Sequence, residues 1–388
     1  MSKKQLLALS LCSIVPWTVG FGIIPLIPVY ANKLGATAVI SGIWLSLAYI
    51  AMATGSIITG WLSDRFQRRK KLLIIAGLLS IPATWSMGLT TNIWLLAVFM
   101  AIMCFFLGGM AVALITTMAG LFAGESERGR VFGIIQMTVS MGALIGGSIT
   151  GPIADRWGYP TMFFVLAVIC AILPIVSLSL EDKILPREKS KKTKTQVSMG
   201  GYFWILIIAQ TLVTIVFFVG HLTRSLAMTD LGFPSAAISR VVAVGGAVTL
   251  PFPFLVGWLS DKFGRKRLLA LCYLAGIIGI ISQTISISWW HFCLATILLA
   301  FAPRVGGGVG SALVSDLVPK ESLGMGIAFF QACGWAAGVI GWSVTGYAIQ
   351  NFGLTSSMIM ASFLPLAAII LLIFIRPAMR GKKLAGSI

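Results

Sequence analysis

Two stretches of the chain are written in nearly the same residues: Gly60-Trp-Leu-Ser-Asp-Arg-Phe-Gln-Arg-Arg-Lys-Lys-Leu-Leu73 and Gly257-Trp-Leu-Ser-Asp-Lys-Phe-Gly-Arg-Lys-Arg-Leu-Leu-Ala270. Each stretch ends one apolar run, carries one acidic residue and several basic residues, and begins the next apolar run. The copies begin 197 residues apart (257 − 60) in a chain of 388 residues. A charged hairpin that recurs between apolar runs predicts a membrane protein built from two similar halves.

The composition excludes an ordinary soluble domain. Apolar residues make up 58% of the chain, charged residues make up 10%, and the mean hydropathy is +0.97. Apolar runs of about 20 residues, each long enough to cross a hydrocarbon core of ~30 Å as a helix, recur along the whole length. We therefore predict an all-α membrane protein with twelve transmembrane helices. These spans are residues 6–30, 38–61, 72–90, 93–121, 131–153, 160–180, 202–226, 236–259, 268–288, 290–317, 326–349 and 354–375.

The cysteines do not have the spacing of a metal site. All six fall inside the predicted spans, where they are expected to be buried small apolar residues. They are Cys12, Cys104, Cys170, Cys272, Cys293 and Cys333. The sequence also shows no nucleotide-binding loop and no nucleophile–base pair, and its short loops leave no room for a soluble catalytic domain. We expect no cofactor, no metal and no enzymatic activity.

The net charge of +18 follows membrane topology rather than nucleic-acid binding. If even-numbered spans return to the cytoplasm, that side receives nearly all of the bases outside the spans, whereas the opposite side keeps only Lys33 and Arg156. This asymmetry is the positive-inside rule, and it predicts that both termini are cytoplasmic. We expect a multi-pass protein of the cell (inner) membrane, surrounded by membrane lipids and without a nucleic-acid partner.

The duplication extends beyond the hairpin. Residues 136–151 align with residues 331–346 at an offset of 195 (331 − 136), and Asn32-Lys-Leu-Gly35 aligns with Thr229-Asp-Leu-Gly232 at an offset of 197 (229 − 32). Corresponding segments follow the same number of spans, so the repeats have the same orientation. Parallel repeats place the substrate path at their interface. We predict an N-terminal six-helix bundle at 1–180, a polar cytoplasmic linker at 181–199 and a C-terminal six-helix bundle at 200–388.

The hairpin resembles the signature loop of the major facilitator superfamily, Gly-x-Leu-x-Asp-Arg/Lys-x-Gly-Arg-Arg/Lys, which lies between helices 2 and 3 and again between helices 8 and 9. Residues 25–35 are also similar to the outer end of helix 1 in the twelve-helix drug:proton antiporter (multidrug efflux) branch. The resemblance covers essentially the whole chain. It implies the two-bundle fold of this superfamily and transport of a solute across a membrane.

The resemblance also implies that the two hairpins form a gate. In the family, the hairpin carboxylate meets positive helix N-termini across the interface between the halves and latches the cytoplasmic side. Carried over, the gating residues are Gly60, Asp64, Arg65, Arg68, Gly257, Asp261, Lys262 and Arg265. The alternative for the basic residues is anchoring to lipid headgroups. The family's loop glycine is Gln67 in the first copy and Gly264 in the second, so we expect the first turn to differ.

Two features of the antiporter branch are missing. Those proteins usually carry an arginine in helix 4, four residues before a glycine, whereas Cys104 precedes Gly108 here. Their Gly-Pro pair in helix 5 is replaced by Gly146-Gly147, and the small residues at 142, 146, 147 and 151 predict close helix packing instead. The six spans of the first half also hold no Asp, Glu, Lys, Arg or His. The residues alone therefore leave proton coupling undecided.

The second half carries charged residues where the first half has none. Arg304 lies near the middle of the tenth span, His221 and Arg224 lie in the outer part of the seventh, and Arg240 lies just inside the eighth. A mid-bilayer arginine costs about 2.5–3.5 kcal/mol on insertion scales, so it should face a cavity or a partner. These groups together predict a cavity that favours an anionic solute. The alternatives are carbonyl ties for Arg304, headgroup contacts for Arg224 and Arg240, and a packed histidine rather than a proton carrier for His221.

Three uncharged residues complete the candidate substrate or coupling set. Gln136 and Gln331 occupy equivalent positions in the two repeats, and Trp17 supplies an aromatic surface in the first span. Aromatic groups with a few placed polar groups suit an amphipathic ligand. The alternative for the aromatic residue is ordinary helix packing.

The sequence predicts a secondary transporter that exports a small amphipathic, and by its charges anionic, solute or drug by alternating access. The resemblance favours proton antiport, so protons are the expected second partner of a monomeric carrier. Two alternatives remain at this point. One is an uptake carrier or facilitator for an anionic metabolite, and the other is a lipid translocase.

Overall fold

The computed structural model describes residues 2–122, 128–182, 199–252, 255, 259, 262–318 and 323–375, and the described part is almost entirely α-helical. The first half contains α1 (Lys3–Ile23), α2 (Ile27–Lys33), α3 (Ala38–Phe66), α4 (Arg69–Leu89), α5 (Ile93–Met103), α6 (Val112–Phe122) and α7 (Arg128–Ser177). The second half contains α8 (Gly201–Asp230), α9 (Ser235–Thr249), α10 (Arg265–Thr284), α11 (Trp289–Leu317), α12 (Leu323–Phe352) and α13 (Leu354–Phe374). The all-α fold class is therefore confirmed.

Each predicted span contains helical residues, but three spans are interrupted. The first is broken between α1 and α2, where Pro25 and Pro28 disfavour a continuous helix. In the fourth, α5 and α6 are joined by a π-helical segment, Cys104–Ala111. In the eighth, α9 ends at Thr249, just before Pro251. Conversely, α7 covers the fifth and sixth spans, which a turn at Gly158 (φ 82°, ψ 167°) separates.

The outer surface of the described helices suits a membrane. Eight described helical segments are long and apolar enough to span one. Large apolar side chains such as Ile57 (74% exposed), Ile285 (74%) and Trp290 (71%) lie on the surface, which is favourable only where lipid or another protein covers them. The full count of twelve crossings and the cytoplasmic termini stay predictions.

The two halves meet along two pairs of antiparallel helices. The first part of α7 packs against α9, and α3 packs against α12. We call these contacts the α7–α9 seam and the α3–α12 seam. Within the halves, α7 packs along α1 and α4, while α10 packs along α11 and α13. A substrate path between the repeats, as the sequence predicts, would be bounded by these two helix pairs, each with one member from either half.

The helix ends define two opposite faces. The face at which α3 turns into α4 and α10 begins carries the two hairpins, and we call it the basic face. At the other end, Tyr30 of α2 stacks on Tyr159 (ring centroids 4.6 Å apart), and Asp155 of α7 reaches the first residues of α9. We call this end the Asp155 face.

Candidate functional site

A buried arginine–histidine pair lies on α8. His221 and Arg224 are three residues apart and therefore lie on one side of the helix. Arg224 is 1% exposed and His221 is 6% exposed. The Arg224 Nη2 lies 3.0 Å from the His221 Nδ1, and the Arg224 Nη1 donates a hydrogen bond to Thr296 Oγ1 of α11 at 3.1 Å. A guanidinium can only donate, so this geometry makes the Nδ1 of His221 an acceptor and assigns the imidazole proton to Nε2.

The guanidinium of Arg224 is not neutralised by the described residues. None of their carboxylates lies within ion-pair distance of it, and its buried Nε has no hydrogen-bond partner among them. Thr296 and His221 supply only neutral acceptors. A buried cation in a membrane span is costly unless an anion or several dipoles compensate it. Arg224 is therefore a cation that an anionic ligand group would compensate, and it is buried inside the second half rather than extended to the headgroups.

Aromatic rings connect this pair to the boundary between the halves. Phe217 lies against His221 with ring centroids 4.4 Å apart, and it contacts Phe218 at 5.5 Å. Phe218 in turn contacts Tyr49 of α3 at 4.9 Å and Trp342 of α12 at 5.3 Å. The rings thus continue from a cation in the second half to α3 of the first half. An apolar aromatic surface beside one fixed charge is typical of sites for amphipathic ligands.

The remaining predicted site residues are not joined to Arg224 by any described contact. Arg240 is exposed on α9, and Gln136 and Gln331 are exposed on α7 and α12 without a hydrogen bond to a described residue. Trp17 is partly buried and stacks on Phe21 with ring centroids 6.0 Å apart. The backbone of Arg304 is helical within α11, but its side chain lies outside the described residues. Their roles as substrate or coupling residues stay predictions.

Thr296 and Trp342 belong to the observed cluster but not to the predicted set. Thr296 is a single hydroxyl inside an apolar run, and such residues most often bond to their own helix, so the sequence gives no signal for it. Trp342 is one of several aromatic residues at helical spacing. Only the packing of α8 against α11 and α12 distinguishes these two residues.

The first hairpin closes with a strained turn. Gln67 ends α3 in the left-handed conformation (φ 51°, ψ 16°), which a glycine would adopt without strain. Arg65 lies over the ring of Trp61 at 5.1 Å, an arrangement suited to an anchor at the membrane surface. Arg69 is buried, and its Nε donates to Ser63 Oγ at 2.9 Å.

The second hairpin is tied to its own half. Arg265 forms an ion pair with Asp316 at the end of α11 (2.7 Å). Lys266 donates hydrogen bonds to the carbonyls of Ile373 and Ile375 at the end of α13. A cation at a helix C-terminus interacts favourably with the helix dipole. Lys262 lies 6.0 Å from the centre of the Phe263 ring.

The predicted gate is only partly within the described residues. Gly257 and Asp261 lie outside them, as does the side chain of Asp64. Gly60 has open space around its Cα, and Arg68 is exposed. The contact of Arg65 with Trp61 and the ion pair of Arg265 each stay within one half. The latch across the halves therefore stays a prediction.

The predicted close packing of small residues is confirmed, and it serves two partners. A Cβ at Gly142 or Gly146 would collide with the backbone of α1 at Thr18. A Cβ at Gly147 would lie 2.6 Å from the Ala243 N of α9, and one at Gly151 would lie 2.6 Å from the Cα of Ala236. The stripe thus joins α7 both to its own half and to the other half.

On the Asp155 face, a carboxylate of the first half forms hydrogen bonds with the backbone of the second half. Asp155, just before the turn in α7, accepts hydrogen bonds from the backbone N–H of Ser235 (3.0 Å) and of Ala236 (2.7 Å) at the start of α9. The Tyr159 hydroxyl lies 3.1 Å from Ser235 Oγ. The sequence predicted neither contact, because Asp155 lies outside the spans and belongs to no motif.

Comparison with known proteins gives one consistent result. A sequence profile described as the Major Facilitator Superfamily matches residues 8–228 and residues 222–387. The multi-drug resistance efflux pump PmrA of Streptococcus pneumoniae is 31% identical over 352 residues, which cover 85% of this chain and 86% of that protein. The multidrug resistance protein MdtG of Dickeya zeae is 26% identical over 299 residues, covering 72% of each chain. The crystal structure of a mutant of the nucleoside transporter NupG superposes with a TM-score of 0.78 at 14% identity and covers 95% of this chain and 99% of its own.

Proposed function

Because the chain belongs to the major facilitator superfamily, we propose that it is a secondary transporter, not an enzyme, that exports a small amphipathic solute by alternating access. The observation that carries this proposal is the match to a multi-drug efflux pump along 85% of the chain. The internal geometry supports it. Two halves that touch along two seams, each made of a pair of antiparallel helices, can rock about a path between them.

In the proposed orientation, the protein lies in a bacterial inner membrane with its basic face towards the cytoplasm. It rests on the loop charges, since positively charged loops are retained on the cytoplasmic side. Two glycines of the α7–α9 seam, Gly147 and Gly151, lie in the half of the seam nearer the Asp155 face. Outward release of a solute would require this seam and the α3–α12 seam to separate there. One chain contributes both halves of the path, so we propose that it works as a monomer.

We propose further that the solute carries an anionic group. Arg224 supports this substrate class, because it is a buried cation with a free Nε and no carboxylate among its described neighbours. The rings of Phe217 and Phe218 lie beside the pair and would cover the apolar part of such a solute. The names of the relatives do not specify the charge of the drugs that those pumps export.

Proton coupling forms the last part of the proposal. His221 is the candidate proton carrier, since an imidazole can take up and release a proton at a ring nitrogen and the first-half spans contain no acidic residue. Its described charged neighbour is Arg224, at 3.0 Å. Adding a proton to His221 would place two donors face to face, so it would break this hydrogen bond and change the arginine's environment.

The test is transport by the purified protein in proteoliposomes. We expect an imposed pH gradient to drive an anionic amphipathic dye across the membrane at a rate at least tenfold above that of empty vesicles. A cationic dye of similar size serves as the comparison. Failure to move either dye would contradict transport of amphipathic solutes, transport indifferent to the gradient would contradict proton coupling, and preference for the cationic dye would contradict the substrate class.

The arginine is tested by Arg224→Gln, which keeps hydrogen-bond donors and removes the charge. We expect at least a tenfold loss of anionic-dye transport, since a buried charged hydrogen bond contributes on the order of 1.5–3 kcal/mol. The matched control is Arg267→Gln, because Arg267 is an exposed arginine outside the candidate site and gate residues, with no described contact to the site. Equal losses in the two variants would refute the site.

Two alternative functions would use the same buried cation, Arg224, to bind an anionic group. Uptake or facilitated diffusion of an anionic metabolite would show as a reversed preference for the direction of flux in the same vesicles. Lipid translocation would show as movement of fluorescent anionic lipids between the leaflets, with no dye transport. Either result would replace efflux as the function while retaining the role of Arg224.

A further inference from the structure

We propose that Asp155 holds the two halves together at the Asp155 face, as a carboxylate latch that must open each time the transporter exposes its path on that side. The proposal rests on alternating access, the proposed function, but the latch itself is a structural property that can be measured without a substrate. It assigns a positioning role to a residue that no motif identifies.

The latch is a helix cap supplied by the other half. The first backbone N–H groups of any helix lack partners within the helix, and α9 begins after Pro234, whose side chain cannot cap it. Asp155 of α7 fills this need with both of its oxygens, at 3.0 Å from Ser235 N and 2.7 Å from Ala236 N. A carboxylate at a helix N-terminus also interacts favourably with the helix dipole. The satisfied cap therefore depends on the two halves being in contact.

The sequence repeat provides an internal comparison. At the offset of 197, Pro234 corresponds to Thr37, which caps α3 from within its own half by accepting a hydrogen bond from Ile40 N at 3.3 Å. At the offset of 195, Asp155 corresponds to Gln350 at the end of α12. Gln350 is exposed and makes no hydrogen bond with a described residue. One seam thus has a self-capped helix, and the other has a helix that is capped across the boundary.

The backbone around the two positions is packed alike. Gly151 approaches Ser235 and Ala236 at the start of α9, and Gly346 approaches the corresponding Ala38 and Val39 at the start of α3. An added Cβ would lie 2.6 Å from the Ala236 Cα in the first case and 3.1 Å from the Val39 Cα in the second, so both helix pairs are in close backbone contact at this end. Because both seams bring their backbones into close contact here, the exchange of Thr37 for Pro234 and of Gln350 for Asp155 is what creates a polar contact between the halves at this end.

Neighbouring groups support the carboxylate. The Tyr159 hydroxyl joins Ser235 Oγ at 3.1 Å, and the Tyr159 ring stacks on Tyr30 at 4.6 Å. Lys33 lies over the same ring at 5.0 Å. Separation of α7 from α9 would break the two hydrogen bonds to the Asp155 carboxylate and the Tyr159–Ser235 hydrogen bond together. Water can reach Asp155, which is exposed, so the contact can be broken and remade during a transport cycle.

The experiment measures the distance between the halves on this face. Spin labels at Thr91 and Ile287, exposed loop residues of the first and second half, report the separation by double electron–electron resonance in proteoliposomes. The labelled background replaces the six native cysteines and is used only if it folds as the parent protein does. With Asp155→Ala, we expect the ratio of the short-distance to the long-distance population to fall about tenfold, a change of ~1.4 kcal/mol. A distribution identical to that of the parent would overturn the latch.

Two matched variants separate a latch from a simple helix cap. Gln350→Ala removes the corresponding side chain of the other seam, and we expect it to leave the distances unchanged. Pro234→Thr on the Asp155→Ala background gives α9 the self-cap that Thr37 gives α3. We expect the halves to stay separated in this double variant. A shift in Gln350→Ala equal to that of Asp155→Ala, or full recovery in the double variant, would each overturn the proposal.

Asp155→Asn covers the case in which the alanine variant does not fold. The amide keeps one acceptor oxygen and loses the charge, so we expect a smaller shift in the same direction. A parent-like distribution in this variant would also refute the latch. Dye transport is measured on the same samples. If the Asp155 variants shift the distances as expected but the parent protein transports no dye, the proposed function is contradicted and the latch is not. If the parent protein transports dye but the Asp155 variants leave the distances unshifted, the latch is contradicted and the proposed function is not.

Discussion

In both seams between the halves the helix backbones approach closely, but the polar contacts of the two seams differ. In the α7–α9 seam, Ser140 lies 3.3 Å from Thr249 and Asp155 caps the opposite helix. In the α3–α12 seam, Ser46 contacts Ser343 at 2.6 Å and donates to the Val339 carbonyl at 2.8 Å. Both seams thus have a hydroxyl contact in their interior, and among the described contacts the α7–α9 seam is also joined at its end by a carboxylate. Duplication preserved the close approach of the helices, whereas the groups that join the halves diverged.

The largest expected effect comes from blocking the close approach. Gly151→Ala and Gly346→Ala each place a Cβ against backbone of the opposite half, which cannot move aside as a side chain can. We expect each to destabilise the contact by about 2–3 kcal/mol, as overpacking does, and to reduce transport at least tenfold. The measurements are the inter-half distance and dye flux.

Gly133→Ala is the control for this pair, because Gly133 also lies on α7 and has no atoms within 4 Å of an added Cβ. We expect it to transport normally. An effect in only one of the two seam variants would break the equivalence of the seams. A loss in Gly133→Ala as large as theirs would show that stiffening of α7 by replacement of a glycine, not contact between the halves, is responsible.

The duplicated hairpins allow a second comparison, with a smaller effect. Gly264 has φ 86° and ψ 133°, a region that is strained for any side chain, whereas Gln67 occupies the milder left-handed region. We expect Gly264→Gln to lower the free energy of unfolding by about 1–3 kcal/mol. Gln67→Gly should change it by less than about 1 kcal/mol, since relief of strain and added chain entropy oppose each other.

Unfolding of the purified variants in detergent measures the hairpin effect. Both variants are compared with the parent protein at one detergent concentration. If the two substitutions had equal effects, the difference between the turns would not be energetically significant.

The smallest expected effect lies in the interior hydrogen bonds. Ser46→Ala removes contacts to Ser343 and Val339, and Ser140→Ala removes a single longer contact to Thr249. Net contributions of buried hydrogen bonds are about 0.5–1.5 kcal/mol. We expect a loss of about 1 kcal/mol for Ser46→Ala and about half of that for Ser140→Ala, measured by the same unfolding experiment. A larger loss of stability in Ser140→Ala than in Ser46→Ala would contradict the stronger interior hydrogen bonding of the α3–α12 seam.

Much of the fold could be predicted from the sequence because its signals are local. Apolar length predicts each span, and residues 136–151 and 331–346 reveal the repeat without any knowledge of contacts. The interruptions were harder to predict. The π-helical segment Cys104–Ala111 begins at the position where the antiporter branch has an arginine, and it packs against α3 through Gly109 and Gly55. That packing is tertiary, so hydropathy gives no sign of it.

The candidate site was predictable only in part. His221 and Arg224 stand out because charged groups are costly inside a span. Whether they would snorkel or turn inward depends on the neighbouring helix, and Thr296 on α11 accepts the hydrogen bond that holds Arg224 inside. Asp155 gives no comparable signal, since an acid in a loop is ordinary. Its role depends on the start of α9, which lies 80 positions further along the chain.

The sequence by itself determined the family, the repeat and the glycine stripe of α7, because composition and spacing are properties of the chain alone. Only the tertiary structure decided which partners the charged side chains contact. A hydrogen bond requires donor and acceptor to lie within about 3 Å, and for residues on separate helices that distance depends on how the helices pack. The pairing of Arg224 with Thr296 and of Asp155 with Ser235 is therefore set by the arrangement of α7, α8, α9 and α11.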